Sequence, residues 1–193
     1  MAAPPLTGPL EHAPAMASLL PHDPVRAYVA LGANLGQTRA TIRAALDSLA
    51  QWSLRPLRVS SLWETEPVDC PPGSPPFLNA VAELVPQPTE TPESLLQKLL
   101  DLERQFGRTP SPVRNAPRTL DLDLVAFGTE QRSTGRLILP HPRAHLRRFV
   151  LEPLAELAPD LVLPGHTLSV RQLLDRLPPS PATRRLGPSD PAT

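Results

Sequence analysis

Phe77-Leu-Asn-Ala-Val-Ala-Glu-Leu-Val85 leads through a short polar break to Thr91-Pro-Glu-Ser-Leu95 and a leucine-striped run ending at Gly107. The first stretch reads as a strand. Its period of two puts Phe77, Asn79, Val81 and Glu83 on one face and Leu78, Ala80, Ala82 and Leu84 on the other. The second reads as a helix: Thr91 caps it, Pro92 fits its first turn, Leu95, Leu99, Leu102 and Phe106 make its apolar stripe, and Gly107 ends it.

Upstream, Arg26 to Leu31 is a short apolar strand that stops at the turn Gly32-Ala33-Asn34-Leu35-Gly36. A helix capped by Thr38 follows, with Ile42, Leu46 and Leu49 on one face. Leu57 to Trp63 alternates as a second strand ending near Pro67, and residues 69–76 (DCPPGSPP) form a loop. Downstream, the loop Arg108 to Arg118 enters a fourth strand, Thr119 to Phe127, and Leu137 to Leu139 is a short fifth. Helices over 143–157 and 169–177 close the chain. The order β-α-β-β-α-β is that of an α+β, ferredoxin-like sandwich with a largely antiparallel sheet and extra C-terminal helices.

The ends differ from this middle. Six of the 28 prolines fall in residues 1–24 and five in 178–193, so both segments are expected to be disordered Pro-rich extensions. Residues 25–177 remain, 153 in all, enough for one core that buries about 70% of its unfolded surface. Nineteen basic residues balance nineteen acidic ones, which gives no drive toward nucleic acid or an anionic membrane. Lys98 is the one lysine and lies in a helical run, so P-loop chemistry is excluded. A lone Cys70 forms no internal disulfide and no thiolate zinc site. No run of about 18 apolar residues exists, and a monomer in the cytoplasm is the expected state.

The chemistry concentrates in Arg118-Thr-Leu-Asp-Leu-Asp-Leu-Val125. In a strand, Leu120, Leu122 and Leu124 share one face while Asp121 and Asp123 share the other, their Cα atoms about 6.5–7 Å apart. Such a carboxylate pair suits hard cations, two Mg²⁺ ions about 3.5–4 Å apart being the natural occupants. The alternative is an amphipathic edge strand whose aspartates face water. Arg108, Arg114 and Arg118 precede the strand in a loop broken by Pro110, Pro112 and Pro117, and fixed cationic forks beside such a pair are what a triphosphate requires. His141, between Pro140 and Pro142, is placed to donate to a phosphate oxygen; His145, four residues on, has no nearby acid to complete a metal site. Phe77 and Asn79 share a face on which a flat heterocycle can stack and hydrogen-bond, although core packing explains Phe77 equally well.

As a set, Val29-Ala-Leu-Gly-Ala-Asn-Leu-Gly36, Phe77-Leu-Asn-Ala80, Leu102-Glu-Arg-Gln-Phe-Gly-Arg108, Arg114-Asn-Ala-Pro-Arg-Thr-Leu-Asp-Leu-Asp-Leu124, Leu139-Pro-His141 and Arg147-Arg-Phe149 resemble the 6-hydroxymethyl-7,8-dihydropterin pyrophosphokinase family of folate biosynthesis. The resemblance covers residues 26–177 in the family's order. It implies transfer of the β,γ-diphosphate of ATP to the pterin hydroxymethyl group, with Asp121 and Asp123 holding two Mg²⁺ ions. It implies phosphate contacts from Arg108, Arg118, His141 and Arg147. Glu103, Arg114, Leu124, Arg136 and Ile138 would serve the nucleotide; Thr65, Val68, Phe77, Asn79 and Phe149 would serve the pterin. Phe77 stands where the family often has Tyr, Pro110 where it often has Arg, and Ala33 where it often has Ser. Two rivals remain: an Asp-x-Asp nucleotide-sugar transferase, whose doubly wound sheet needs more βαβ units than this length supplies, and a non-catalytic ferredoxin-like sensor that consumes no ATP.

Overall fold

In the computed structural model, which describes residues 24–67, 70–108 and 116–187, the first strand is β1 (Ala27–Ala33), followed by α1 (Thr38–Trp52). Then come β2 (Arg58–Val59), β3 (Trp63–Thr65), β4 (Phe77–Leu84), α2 (Pro92–Gln105) and β5 (Asp121–Phe127). A hairpin of β6 (Arg132–Ser133) and β7 (Ile138–Leu139) precedes α3 (Arg148–Leu157), α4 (Val170–Arg176) and β8 (Thr183–Arg185).

Every pairing in the main sheet is antiparallel, in the order β5-β1-β4-β3-β8, with β2 also on β4. Strands β5-β1-β4-β3 have the ferredoxin-like order, as the sequence predicts, and β8 extends the sheet beyond β3. Helices α1 and α2 cover one face: Val29, Leu31, Leu78 and Leu84 meet Ile42, Leu49, Leu95 and Leu99 in one cluster. On the other face Tyr28, Val81 and Val125 meet Val150, Leu151, Leu154 and Val170 of α3 and α4. Each fully buried leucine contributes roughly 2 kcal/mol to this three-layer arrangement. Because both faces of β1 and β4 are covered, these strands are apolar almost throughout. No helix among the described residues is long and apolar enough to cross a membrane.

Helix α2 begins as predicted: Thr91 Oγ1 accepts the Ser94 N–H and Ser94 Oγ accepts the Thr91 N–H, with Pro92 in the first turn. Other boundaries differ. Gln37, not Thr38, holds the cap position of α1 and makes no side-chain cap bond. Strand β1 runs through Gly32 instead of turning there, since Gly32 pairs with Asn79 and a Cβ at this position would approach Asn79 Oδ1 to 3.2 Å. The predicted strand 57–63 is two strands: Val59 pairs with Ala82 but Trp63 with Asn79, so one extra residue bulges between them. Ser60 stabilises that bulge, its N–H donating to Val81 O and its Oγ accepting the Val81 N–H, both at 3.0 Å.

The predicted helix 143–157 is interrupted. A 3-10 turn, Ala144–Leu146, is separated from α3 by Arg147 in an extended conformation (φ −121°, ψ 110°). The tail expected over 178–193 is corrected for residues 178–187: β8 pairs with β3, and Leu186 is buried in the core. Of the N-terminal extension expected over 1–24, residues 1–23 lie outside the described residues, as do residues 188–193 of the C-terminal tail.

Candidate active site

Asp121 and Asp123 point to the same side of β5, while the leucines between and beside them, Leu120, Leu122 and Leu124, are buried in the α1/α2 cluster. Alternation therefore holds as the sequence predicts, and the start of β5, paired with the end of β1, carries both carboxylates. Arg118 Nη1 lies 2.7 Å and Arg108 Nη1 3.4 Å from Asp121 Oδ1. Arg147 Nη1 lies 3.4 Å from Asp123 Oδ2, an approach that its extended backbone makes possible. Burial, and then the neighbouring Asp121 carboxylate, push the Asp123 carboxyl above its ordinary value. Burial lowers the Arg147 guanidinium, and Arg143 lowers it further.

His141 is fixed by its backbone, whose N–H donates to Val125 O at 2.8 Å. Its Nδ1 accepts the Arg143 N–H at 3.2 Å, which leaves the hydrogen of the neutral ring on Nε2, facing Asp123 Oδ2 at 3.8 Å. Burial pushes the imidazole below its ordinary value, against the pull of Asp123, which favours the neutral ring.

A cavity of about 650 Å³ opens over this face. Its charged end is lined by Arg108, Arg118, Asp121, Asp123 and Arg147, and its other end by Thr65, Phe77, Asn79 and Phe149. Asn79 Nδ2 donates to Thr65 Oγ1 at 2.8 Å, which fixes the amide, and the Arg147 guanidinium sits 5.3 Å from the centre of the Phe149 ring. A second cleft, about 330 Å³, is lined by Leu124, Arg136, Ile138 and His141, and it meets the first at Arg108 and Asp123. Thr65, Phe77, Asn79 and Phe149 thus line one cleft and Leu124, Arg136 and Ile138 the other, with a shared charged junction.

Two carboxylates without a third metal-ligating side chain in a cluster, among the described residues, form a donor set suited to Mg²⁺, which takes its remaining oxygens from water and phosphate. A cation between them also relieves the repulsion that raises Asp123. The pair fits the metal.

Residues 28–159 match the model of the family described as 7,8-dihydro-6-hydroxymethylpterin-pyrophosphokinase (HPPK). The chain belongs to the HPPK family. It is 44% identical to the 2-amino-4-hydroxy-6-hydroxymethyldihydropteridine pyrophosphokinase of Pseudomonas aeruginosa over 72% of this chain and 84% of that protein. The Bacillus subtilis protein of the same name is 41% identical over 68% of this chain and 77% of its own length. A crystal structure of Plasmodium falciparum HPPK-DHPS superposes with a TM-score of 0.59 at 12% identity, covering 80% of this chain but only 41% of the longer one, and shows the shared fold.

Not every HPPK position expected from sequence lines a cleft. Glu103 is buried beneath Arg108: its Oε1 accepts the Leu122 N–H at 2.8 Å and pairs with Arg108, while its Oε2 is buried without a hydrogen-bond partner. Burial pushes its carboxyl up. Glu103 therefore holds Arg108 in place at the junction of the clefts and does not itself line either one. Val68 and Arg114 lie outside the described residues. His145 makes its ring contact with His166, at 4.8 Å between centroids, and not with His141.

Two residues, Asn34 and Arg143, and one segment, 178–181, were not assigned to the site from sequence. Asn34, read only as part of a turn, accepts the Arg118 N–H through Oδ1 at 2.8 Å, donates its own backbone N–H to Arg118 O, and donates Nδ2 to Pro75 O at 3.2 Å. It ties β1 to the loops flanking the cavity, and Asn at a strand end beside glycines was the available signal. Arg143 lines the large cavity, as do Pro178, Ser180 and Pro181 of the segment expected to be a tail.

Proposed function

We propose that the chain transfers the β,γ-diphosphate of ATP to the hydroxymethyl oxygen of 6-hydroxymethyl-7,8-dihydropterin, releasing AMP, a reaction of folate synthesis. The observation that carries this reading is the meeting of two unlike clefts at one charged junction, Arg108 with Asp123. One cleft offers two aromatic rings and a fixed amide to a flat heterocycle. The other offers strand edge, Arg136 and His141 to a nucleotide.

Transfer forms a bond from the hydroxymethyl oxygen to the β-phosphorus and breaks the bond from that phosphorus to the α-phosphate oxygen. AMP departs with the electron pair, and the hydroxyl proton passes to a phosphate oxygen or water. Positioning and neutralisation of charge supply the acceleration. Asp121 and Asp123 are the residues to hold two Mg²⁺ ions, which supply neutralisation of triphosphate charge when bound. Arg108, Arg118 and Arg147, already aligned by carboxylates, exchange those partners for phosphate oxygens, and His141 Nε2–H donates to another. Phe77 and Phe149 hold the pterin ring, and Asn79, steadied by Thr65, reads its hydrogen-bonding edge.

Incubating the protein with ATP, Mg²⁺ and the dihydropterin, while separating AMP from ADP, tests this. The expected result is AMP formation that needs the pterin. Folded, Mg²⁺-supplied protein that produces no AMP overturns it and favours the ligand-binding sensor.

A further inference from the structure

The segment joining α4 to β8 does more than end the chain. Resting on the reading above, we infer that Pro178–Pro181 is a built-in wall of the pterin subsite, so the C-terminal strap positions the pterin and leaves the nucleotide untouched.

Both ends of the strap are fastened. At its start, Arg148 Nη1 donates to Leu177 O and Pro178 O, both at 3.3 Å, while the same guanidinium pairs with Glu152. At its end, Thr183 is the register partner of Thr65, Leu186 N–H donates to Leu62 O at 2.8 Å, and the Leu186 side chain is buried. Arg184 adds an ion pair to Glu64 at 2.8 Å and Arg185 one to Glu156 at 2.9 Å. Between these anchors Pro178, Ser180 and Pro181 line the large cavity.

Strand order determines which end of the cavity the strap closes. The metal-binding carboxylates stand on β5, the amide and stacking ring on β4, Thr65 on β3, and the strap's strand next to it on β8. Four interstrand steps of about 4.8 Å separate β5 from β8, roughly 19 Å. The β8 end of the strap thus lies far from the β5 carboxylates and borders Thr65, which steadies Asn79, while its other end is fastened to Arg148. Three prolines at 178, 179 and 181 restrict the conformations of the unbound strap, so little ordering cost falls on ligand binding. The strap also lies beyond residues 28–159 that match the family.

The test compares the full-length protein with Ser180→Trp, which puts bulk on the wall, and with the double variant Pro178→Gly/Pro181→Gly, which keeps the anchors but loosens the wall. Thermal transitions report folding. Steady-state AMP formation gives KM for pterin and for ATP separately, and pterin fluorescence with a non-hydrolysable ATP analogue gives Kd. The expected result is a pterin KM and Kd at least tenfold higher in both variants, with the ATP KM within twofold and the thermal transition unchanged. Should Ser180→Trp fail to fold, the double glycine variant carries the same comparison. Folded variants whose pterin Kd stays within twofold of the parent overturn the strap, as do variants in which pterin and ATP affinity fall together. A parent protein that forms no pterin-dependent AMP overturns the proposed function itself, and the strap with it.

Discussion

Asp123 carries two opposed demands. Its carboxyl is half-buried beside Asp121, which makes ionisation less favourable than for an ordinary aspartate, yet the reaction proposed needs it ionised around a cation. Asp123→Asn should therefore lower pterin-dependent AMP formation by about a hundredfold or more, while leaving the thermal transition unchanged or slightly higher. Turnover assays beside calorimetry check both halves, and a large fall in thermal stability would make Asp123 structural. Glu103 is the opposite case. Its removal leaves the Leu122 N–H without its acceptor and Arg108 with only the more distant Asp121 carboxylate, so Glu103→Ala should cost about 2 kcal/mol in urea unfolding and also weaken turnover. Glu103→Gln, which keeps an acceptor for Leu122, should recover most of that stability but not the turnover. The two residues are distinguished by environment: the sequence pattern exposed Asp121 and Asp123 through their alternation with leucines, but Glu103 lies on a helix whose position over β5 no local pattern encodes.

At the level of elements, the site depends on ends and interruptions. Asn34 at the end of β1 joins Arg118 and Pro75, so one side chain sets the entrance of β5 and the loop before β4. Asn34→Ala should raise KM for ATP and for pterin together by severalfold with a modest loss of stability, readable from initial rates with each substrate varied. A change confined to one substrate would contradict this role. The strands and helices with unbroken periods were legible: β4, α2 and the leucine face of β5 follow from two-residue and 3.6-residue spacing. The interruptions were not. The bulge between β2 and β3 rests on Ser60 replacing a ladder partner, which ordinary alternation over Leu57 to Trp63 conceals. Arg147 breaks a helical run because its extended backbone brings its guanidinium to Asp123, a tertiary contact. Strand β8 was hidden by the prolines around it, since its pairing is with β3, some 120 residues away in sequence.

Across the whole molecule, the sheet works as a ruler. Carboxylates on β5, glycine backbone on β1, ring and amide on β4 and Thr65 on β3 succeed one another across strands about 4.8 Å apart, a span that accommodates a heterocycle at one end and phosphates at the other. Helices on both faces make that ruler rigid, so in the proposed reaction the core, and not the loops alone, would hold the acceptor oxygen in register with the β-phosphorus. The central claim is thus about which phosphorus is attacked. ATP labelled at the β-phosphate tests it directly. After reaction with Mg²⁺ and the dihydropterin, the account predicts that the β-label leaves the nucleotide and appears in the pterin product, with unlabelled AMP. Label retained in ADP, with only the γ-phosphate transferred, would contradict it.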